Sequence, residues 1–338
     1  MRNHKLPRFT LGVALLCGTS LAFAAKPTPQ YIVAERLRTH LEFVAHDLME
    51  GRATPSRGLD ITARYLVAQC KLMGLQPAGE TGTFFHWYEA SGRRDKFKSQ
   101  NVIAKIEGSD PILKNEYIAV SAHYDHIGLE TSGGDRINNG ADDDGSGTVA
   151  LLEIARAFQL GPKPKRSILF IWHSGEERGL LGSKAFTETP TVDLKQIAGL
   201  VNIDMIGRSR PAGDVNPKNE KLVPAKSIYV VGSREISTEF GDWVAAANDG
   251  YLRLRYDYYY DQPSKPDRIY FRSDHYNYAL KGIPIAFFFN GTHEDYHQVS
   301  DEIDKIDFPQ MEAISRTIYM TLYSLADKKT RPRVNAKS

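Results

Sequence analysis

Acids and histidines cluster at five places in this chain, and four of them directly follow short apolar runs. YIAVSA leads into His123-Tyr124-Asp125-His126, and SILFIW leads into His173 and the adjacent acids Glu176 and Glu177. AGLVNI leads into Asp204, and IPIAFFF runs through NGTHEDY to His297. The fifth place is Asp142-Asp143-Asp144, set before Gly145-Ser146-Gly147 and the pattern TVALLEIARAF. Adjacent carboxylates repel each other unless something cationic lies between them. A helix N-terminus also tolerates acids, so Glu176 and Glu177 alone do not decide between a cap and half of a metal site. His nitrogen and carboxylate oxygen are the donors of catalytic zinc sites, which keep one position open for water. Two zinc ions a few ångströms apart need a bridging anion to offset their repulsion. Asp143, on a tight Gly-flanked turn, is the expected bridge. Asp125, two residues after His123, is spaced to take the proton of the other imidazole nitrogen.

The elements carrying these residues alternate. Residues 31–50 and 59–74 read as helices, the second stopped by Gly74, with the polar turn EGRATPSRG between them. NVIAKIEG, YIAVSAHYD, SILFIWHS, IAGLVNIDMIG, SIYVVGS and IPIAFFF read as strands. GTVALLEIARAF, 180–187, 235–249 and 308–327 read as helices. Short, nearly continuous apolar strands between helices predict an α/β sheet covered on both faces. The expected fold is a three-layer α/β/α sandwich around a mixed, mostly parallel central sheet. In open sheets of this kind ligands collect outside the carboxyl ends of the strands, where the strand-end residues above converge. The stretch 207–226 reads as a polar surface loop. The Tyr-rich stretch 253–272 reads either as loop packing or as a substrate-pocket wall.

The chain has 338 residues. Arg2, Lys5 and Arg8, the apolar run Leu11–Ala25 and the small-x-small site Ala22-Phe23-Ala24 predict an export signal over 1–25. The remainder, 26–338, reads as a single domain with a full core, without internal repeats or a linker. A periplasmic or secreted location follows, with no membrane association after signal cleavage. Removing the three basic residues of the signal from the 43 Lys and Arg leaves them one short of the 41 Asp and Glu. Such a balance gives no sequence-wide attraction to nucleic acid or to an anionic membrane. Only Cys70 survives cleavage, so no internal disulfide is expected; its helical setting predicts a buried apolar filler. Ser146 does not sit in a G-x-S-x-G elbow, which argues against a serine hydrolase.

The motifs, taken in order, resemble the M28 family of zinc aminopeptidases. The likeness begins at DLMEGRATPSRGLDITARYLVAQCKLMGLQPAG. It continues through SAHYDHIG, NGADDDGSGTVALLEIARAF, HSGEERGLLGS and VNIDMIGRS, and ends with SDHYNYALKGIPIAFFFNG and DYHQVSDEID. The resemblance implies two Zn2+ ions, with His123 and Asp204 on one, Glu177 and His297 on the other, and Asp143 bridging. It implies Glu176 as the general base that takes a proton from the metal-bound water and gives it to the leaving amine. Asp125 would orient His123, Asp144 would support the site, and the Tyr296 phenol would stabilise the tetrahedral oxyanion. A cis peptide between Asp143 and Asp144 is also implied. His293 is the rival to His297. His126, His173 and His275 are expected to be hydrogen-bonded residues near the site, and Asp274 and His275 match a family position near the site of no derivable role. The implied activity is removal of the first residue from peptides with a free N-terminus; no stretch is long enough for the protease-associated domain that some family members insert, and a monomer is expected. Relatives with altered chemistry, such as glutaminyl cyclases, carboxypeptidases and non-catalytic binding domains, are the alternative.

Overall fold

The computed structural model describes Met1 and residues 26–91 and 96–336; the export signal read at 1–25 falls on residues outside those described. Strands β1 (Phe85–Ser91), β2 (Lys96–Ile106), β3 (Tyr117–His123), β4 (Ser167–His173), β5 (Ile197–Ile203), β6 (Ser227–Val231), β7 (Arg255–Asp257) and β8 (Ile285–Phe289) join a two-residue strand, Gln76–Pro77, in one nine-stranded sheet. The centre is parallel, in the order β4-β3-β5-β8. Antiparallel pairings flank it, with β2 on β4 at one side and β6 on β8 at the other. The sheet is therefore mixed, as expected, and its parallel centre directs the ends of β3, β4, β5 and β8 to one edge.

Side-chain alternation explains why both faces are covered. In β3, Ile118, Val120 and Ala122 share a core with residues of α1 (Ala34–Val44), α2 (Arg57–Leu72), α3 (Gly147–Leu160), α5 (Thr238–Asp249) and α7 (Phe308–Asp327). Tyr117 and Ala119 of β3 point to a second core with Phe186 of α4 (Leu181–Glu188) and Tyr278 of α6 (His275–Ala279). In β4, Ile168, Phe170 and Trp172 take the first face, and Leu169 and Ile171 take the second. The result is a three-layer α/β/α sandwich. Among the described residues no helix is long and apolar enough to cross a membrane.

Local chemistry sets the helix ends. Asp307 caps α7 by accepting the Gln310 N–H at 3.1 Å. Met311, Ile314, Ile318, Leu322 and Leu325 then bury one stripe at three- and four-residue spacing. Ser56 caps α2 through the Leu59 N–H at 3.1 Å. Cys70 is fully buried in α2, and burial pushes its thiol pKa up to about 12. The helix expected over 31–50 breaks after Val44, and a 3-10 stretch, Asp47–Arg52, follows. Gly51 sits there at φ +65°, where a Cβ would lie 2.5 Å from the Gly128 carbonyl oxygen. Strands β1 and β7 were not expected. β1 mixes aromatic and polar residues on both faces, and it forms by pairing antiparallel with β2 from Phe85↔Val102 to Ser91↔Lys96.

Candidate metal centre

His123 is the last residue of β3, Asp204 directly follows β5, and Glu176 and Glu177 follow β4 by a short turn. That turn needs Gly175, at φ +73°, because a Cβ there would lie 2.7 Å from the Tyr88 hydroxyl. Asp143 lies on the bend before α3, and its peptide bond to Asp144 is cis. His297 comes from the segment after β8. These residues meet at one cleft, lined by Asp143, Glu176, Glu177, Asp204, Tyr296 and His297, with Met205, Ile269, Phe287, Phe289, Thr292 and Arg272 as the remaining wall.

The two oxygens of Asp143 face different imidazoles. Oδ1 lies 3.4 Å from His123 Nε2, and Oδ2 lies 3.1 Å from His297 Nε2. His123 Nε2 is also 3.5 Å from Asp204 Oδ1, and His297 Nε2 is 3.2 Å from Glu177 Oε2. Zinc bonds of ~2.0–2.1 Å in a tetrahedron put neighbouring donors roughly 3.3 Å apart. The observed spacings match that edge, and Asp143 Oδ2 is buried without a hydrogen-bond partner. The described residues that could hold an ion fall in two adjoining groups, His123 with Asp144 and Asp204, and His126 with Asp143 and Glu177.

The electrostatics point the same way. Burial opposes a charge on His123, but Asp204, Glu176, Asp125 and Asp143 outweigh it and hold its pKa well above the usual value. For His297, burial is likewise outweighed by Asp143 and Glu177, and its pKa rises to about 10. Burial would raise Asp143, yet His123 and His297 hold it well below the carboxylate range. Glu176 is pushed well above that range by burial and by Glu177, Asp204 and Asp274, against the pull of His123. Burial also raises Asp204. Protons on the imidazoles and acids are what this cluster uses to offset its own charge, and a divalent cation does that job better.

The supporting residues tie the strand ends together. Asp144 Oδ2 accepts the His123 N–H at 3.1 Å, while Oδ1 accepts those of Met205 at 3.1 Å and Gly147 at 2.9 Å. Asp125 Oδ1 lies 3.6 Å from His123 Nδ1, and the Asp125 backbone carbonyl is closer, at 3.2 Å. The same carboxylate accepts the Glu176 N–H at 3.2 Å and the Thr54 hydroxyl at 3.1 Å. Tyr296 stacks on His297 with ring centroids 4.0 Å apart, and Arg272 donates to its hydroxyl at 3.1 Å. Arg272 has no lone pair to offer, so the phenol proton is free to point elsewhere.

Among the residues expected near the site, His173 is satisfied by Asn101 Oδ1 at 3.3 Å and the Tyr278 hydroxyl at 3.1 Å. His275 contacts the Tyr270 carbonyl at 2.8 Å and stacks on Phe287. His293 turns away from the cleft onto Asp142 Oδ2, at 3.0 Å. Asp274 is fully buried with both carboxyl oxygens unpartnered, and burial with its acidic neighbours lifts its pKa to about 7. His126 is hydrogen-bonded beside the site, as expected. Its Nδ1 lies 3.0 Å from Glu177 Oε1 and 3.8 Å from Asp143 Oδ2, close enough for the three to hold one ion. The motif HYDH held the signal, but only the turn after β3 brings its second histidine back under Glu177. Arg52 was missed. It is fully buried and donates to the carbonyls of Val44, Tyr124, Asn139 and Gly140 at 2.6–3.0 Å, joining the His123 and Asp143 segments. In the Tyr-rich stretch, Tyr256, Tyr258, Tyr260 and Tyr270 pack into the cores, and Ile269 and Arg272 reach the cleft instead.

The chain belongs to peptidase family M28, whose model matches residues 101–322. It is 28% identical over 327 residues to leupeptin-inactivating enzyme 1 of Streptomyces exfoliatus, covering 94% of this chain and 63% of that protein. Leucine aminopeptidase 1 of Grosmannia clavigera is 29% identical over 303 residues, covering 86% of this chain and 67% of the relative. The chain thus spans about two thirds of the length of these relatives. Among solved structures, the LapA aminopeptidase of Legionella pneumophila superposes with a TM-score of 0.68 at 23% identity, over 90% of this chain and 77% of that one. At that identity the likeness speaks for the fold.

Proposed function

We propose that this protein is an exported zinc aminopeptidase that hydrolyses the first peptide bond of peptides with a free N-terminus. The observation that carries the reading is Asp143, with one oxygen facing His123 and the other facing His297 in an acid-lined cleft. His123 and Asp204 would hold one zinc ion, Glu177 and His297 the other, and Asp143 both. A zinc pair supplies the positive charge that makes water acidic at neutral pH and polarises the scissile carbonyl.

The residues of the chain divide the remaining work. Glu176, its pKa raised by burial and neighbouring acids, takes the proton of the attacking water and passes it to the departing amine. Glu176 and Asp204 are the acids positioned to receive the substrate's ammonium group. Tyr296, with its oxygen already occupied by the Arg272 donor, has its own proton available for the developing oxyanion. Met205, Ile269, Phe287 and Phe289 form the apolar wall of the cleft, which favours an apolar first residue. The basic start, the apolar run and Ala22-Phe23-Ala24 support export with cleavage after Ala24 or Ala25.

The test compares a short peptide with its N-acetylated twin, using zinc-loaded protein. Release of the first residue from the free-amine peptide alone is expected. Equal cleavage of both would remove amine recognition from the reading, and cleavage of neither by the zinc-loaded protein would remove the peptidase.

A further inference from the structure

The segment that carries Tyr296 and His297 does more than present them. Asp301, fully buried, points its carboxylate at the bend that carries Asp143. Both of its oxygens lie 3.1 Å from the Asp142 N–H, and Oδ2 also accepts the Asp143 N–H at 3.0 Å. Its backbone carbonyl accepts the Ala141 N–H at 3.1 Å. Four residues before His297, the His293 side chain is fully buried against Asp142. Arg208 Nη1 approaches His293 Nδ1 at 3.4 Å. The same Nη1 donates to Asp295 Oδ2 at 3.0 Å, and on the other side of the ring His293 Nε2 lies 3.0 Å from Asp142 Oδ2. The other Asp142 oxygen accepts the Gly207 N–H at 2.7 Å, which ties the same bend to the segment after Asp204.

We propose that Asp301 and His293 are positioning residues for metal binding, which set the direction of the Asp143 carboxylate by clamping the Asp142–Asp143 backbone. The inference rests on the reading of Asp143 as a shared ligand. A carboxylate that accepts two successive backbone N–H groups fixes the peptide planes between them, and so the direction of the Asp143 side chain. That direction matters because the Asp143 oxygens must meet partners on opposite sides, at 3.4 Å and 3.1 Å. A modest rotation that closes one contact opens the other. Asp301 is also an acid buried beside Asp142 and Asp143, an arrangement that costs stability unless it is used. Because clamp and ligand share one segment, His297 cannot shift without disturbing Asp143.

Zinc affinity decides the matter, measured on metal-stripped protein by competition with a chromophoric chelator. Asp301→Asn keeps the shape but turns an amide toward backbone donors. It is expected to weaken zinc binding about 10–100-fold, the usual cost of losing a group that supports a ligand. His293→Gln, which acts one residue further from the bridge, is expected to cost on the order of tenfold. Both variants should keep the wild-type far-ultraviolet circular dichroism when metal-free. A purely structural role would lower the metal-free melting temperature and leave the affinity of the folded protein unchanged; that result overturns the proposal. Should Asp301→Asn not fold, His293→Gln decides alone, and unchanged affinity there overturns it equally. Wild-type protein that binds no zinc would sink the metal reading and this inference with it. Wild-type binding matched by both variants would sink the inference only.

Discussion

Glu176→Gln separates two consequences of one carboxylate. The substitution preserves shape and leaves the backbone N–H of residue 176 on Asp125. It removes the proton acceptor, and loss of a general base costs about 10²- to 10⁴-fold, or about 3–5 kcal/mol of transition-state stabilisation. Because Glu176 is not assigned to a zinc ion, kcat should fall while zinc content stays at the wild-type level. Stability should move the other way. Burial and Glu177, Asp204 and Asp274 raise the Glu176 pKa far above its ordinary value of 4.5. Its favourable contribution is fully present below that ordinary value and is lost as pH rises through the raised folded value. At neutral pH the wild-type carries this cost, and the neutral glutamine does not. Relief of about 0.5–2 kcal/mol is typical at such sites, worth ~2 °C per kcal/mol in a chain of this size. Calorimetry on metal-stripped protein should therefore find the variant more stable at pH 7.5, with the gain shrinking toward pH 4.5. A kcat within threefold of wild type would refute the base assignment. A lower melting temperature at pH 7.5 would refute the charge argument.

Tyr296→Phe should lower kcat about 10²-fold with little change in KM, since one oxyanion donor is worth that much; a change in KM alone would make it a binding residue. Glu153, buried in α3, is held below its ordinary 4.5 because His40, Arg36 and Arg156 outweigh burial. Its stabilisation is present above 4.5 and is lost as pH falls through the depressed folded value. Glu153→Gln should cost about 1–3 kcal/mol at pH 7, less than a wholly buried pair because its cations reach water, and should flatten the acid limb of the stability curve in urea titrations. Cys70, fully buried and with its thiol pushed up to about 12, should resist a thiol reagent until denaturant is added; reaction at native rates would mean α2 opens locally.

The parts of the site that could be read from sequence are those where local order determines position. Apolar runs such as SILFIW must lie inside a covered sheet, so the polar residues that end them must emerge at its edge. His123, Glu176, Glu177 and Asp204 follow from that alone. Where position depends on tertiary contacts, the sequence carries little. His126 meets Glu177 on a turn whose His126 N–H donates to the Arg52 carbonyl at 3.2 Å, a contact between segments 74 residues apart. Arg52 looks like a solvated turn residue until its four carbonyl partners come from three segments, two of them distant in sequence. Strand β1 exists through its pairing with β2 and is not visible as a periodic pattern. The Tyr-rich stretch was ambiguous because a tyrosine suits a core and a pocket equally well.

The parallel centre of the sheet has a consequence for the life of the chain. His123, Glu177, Asp204 and His297 follow four different strands, and β8 is the last strand in chain order among the described residues. A chain that ends before His297 lacks part of this cluster, so a nascent or clipped chain leaves its acids without their last histidine. A chain cut anywhere before Ile285 lacks both β8 and His297, however well its first half has folded, so its cluster stays open on one side.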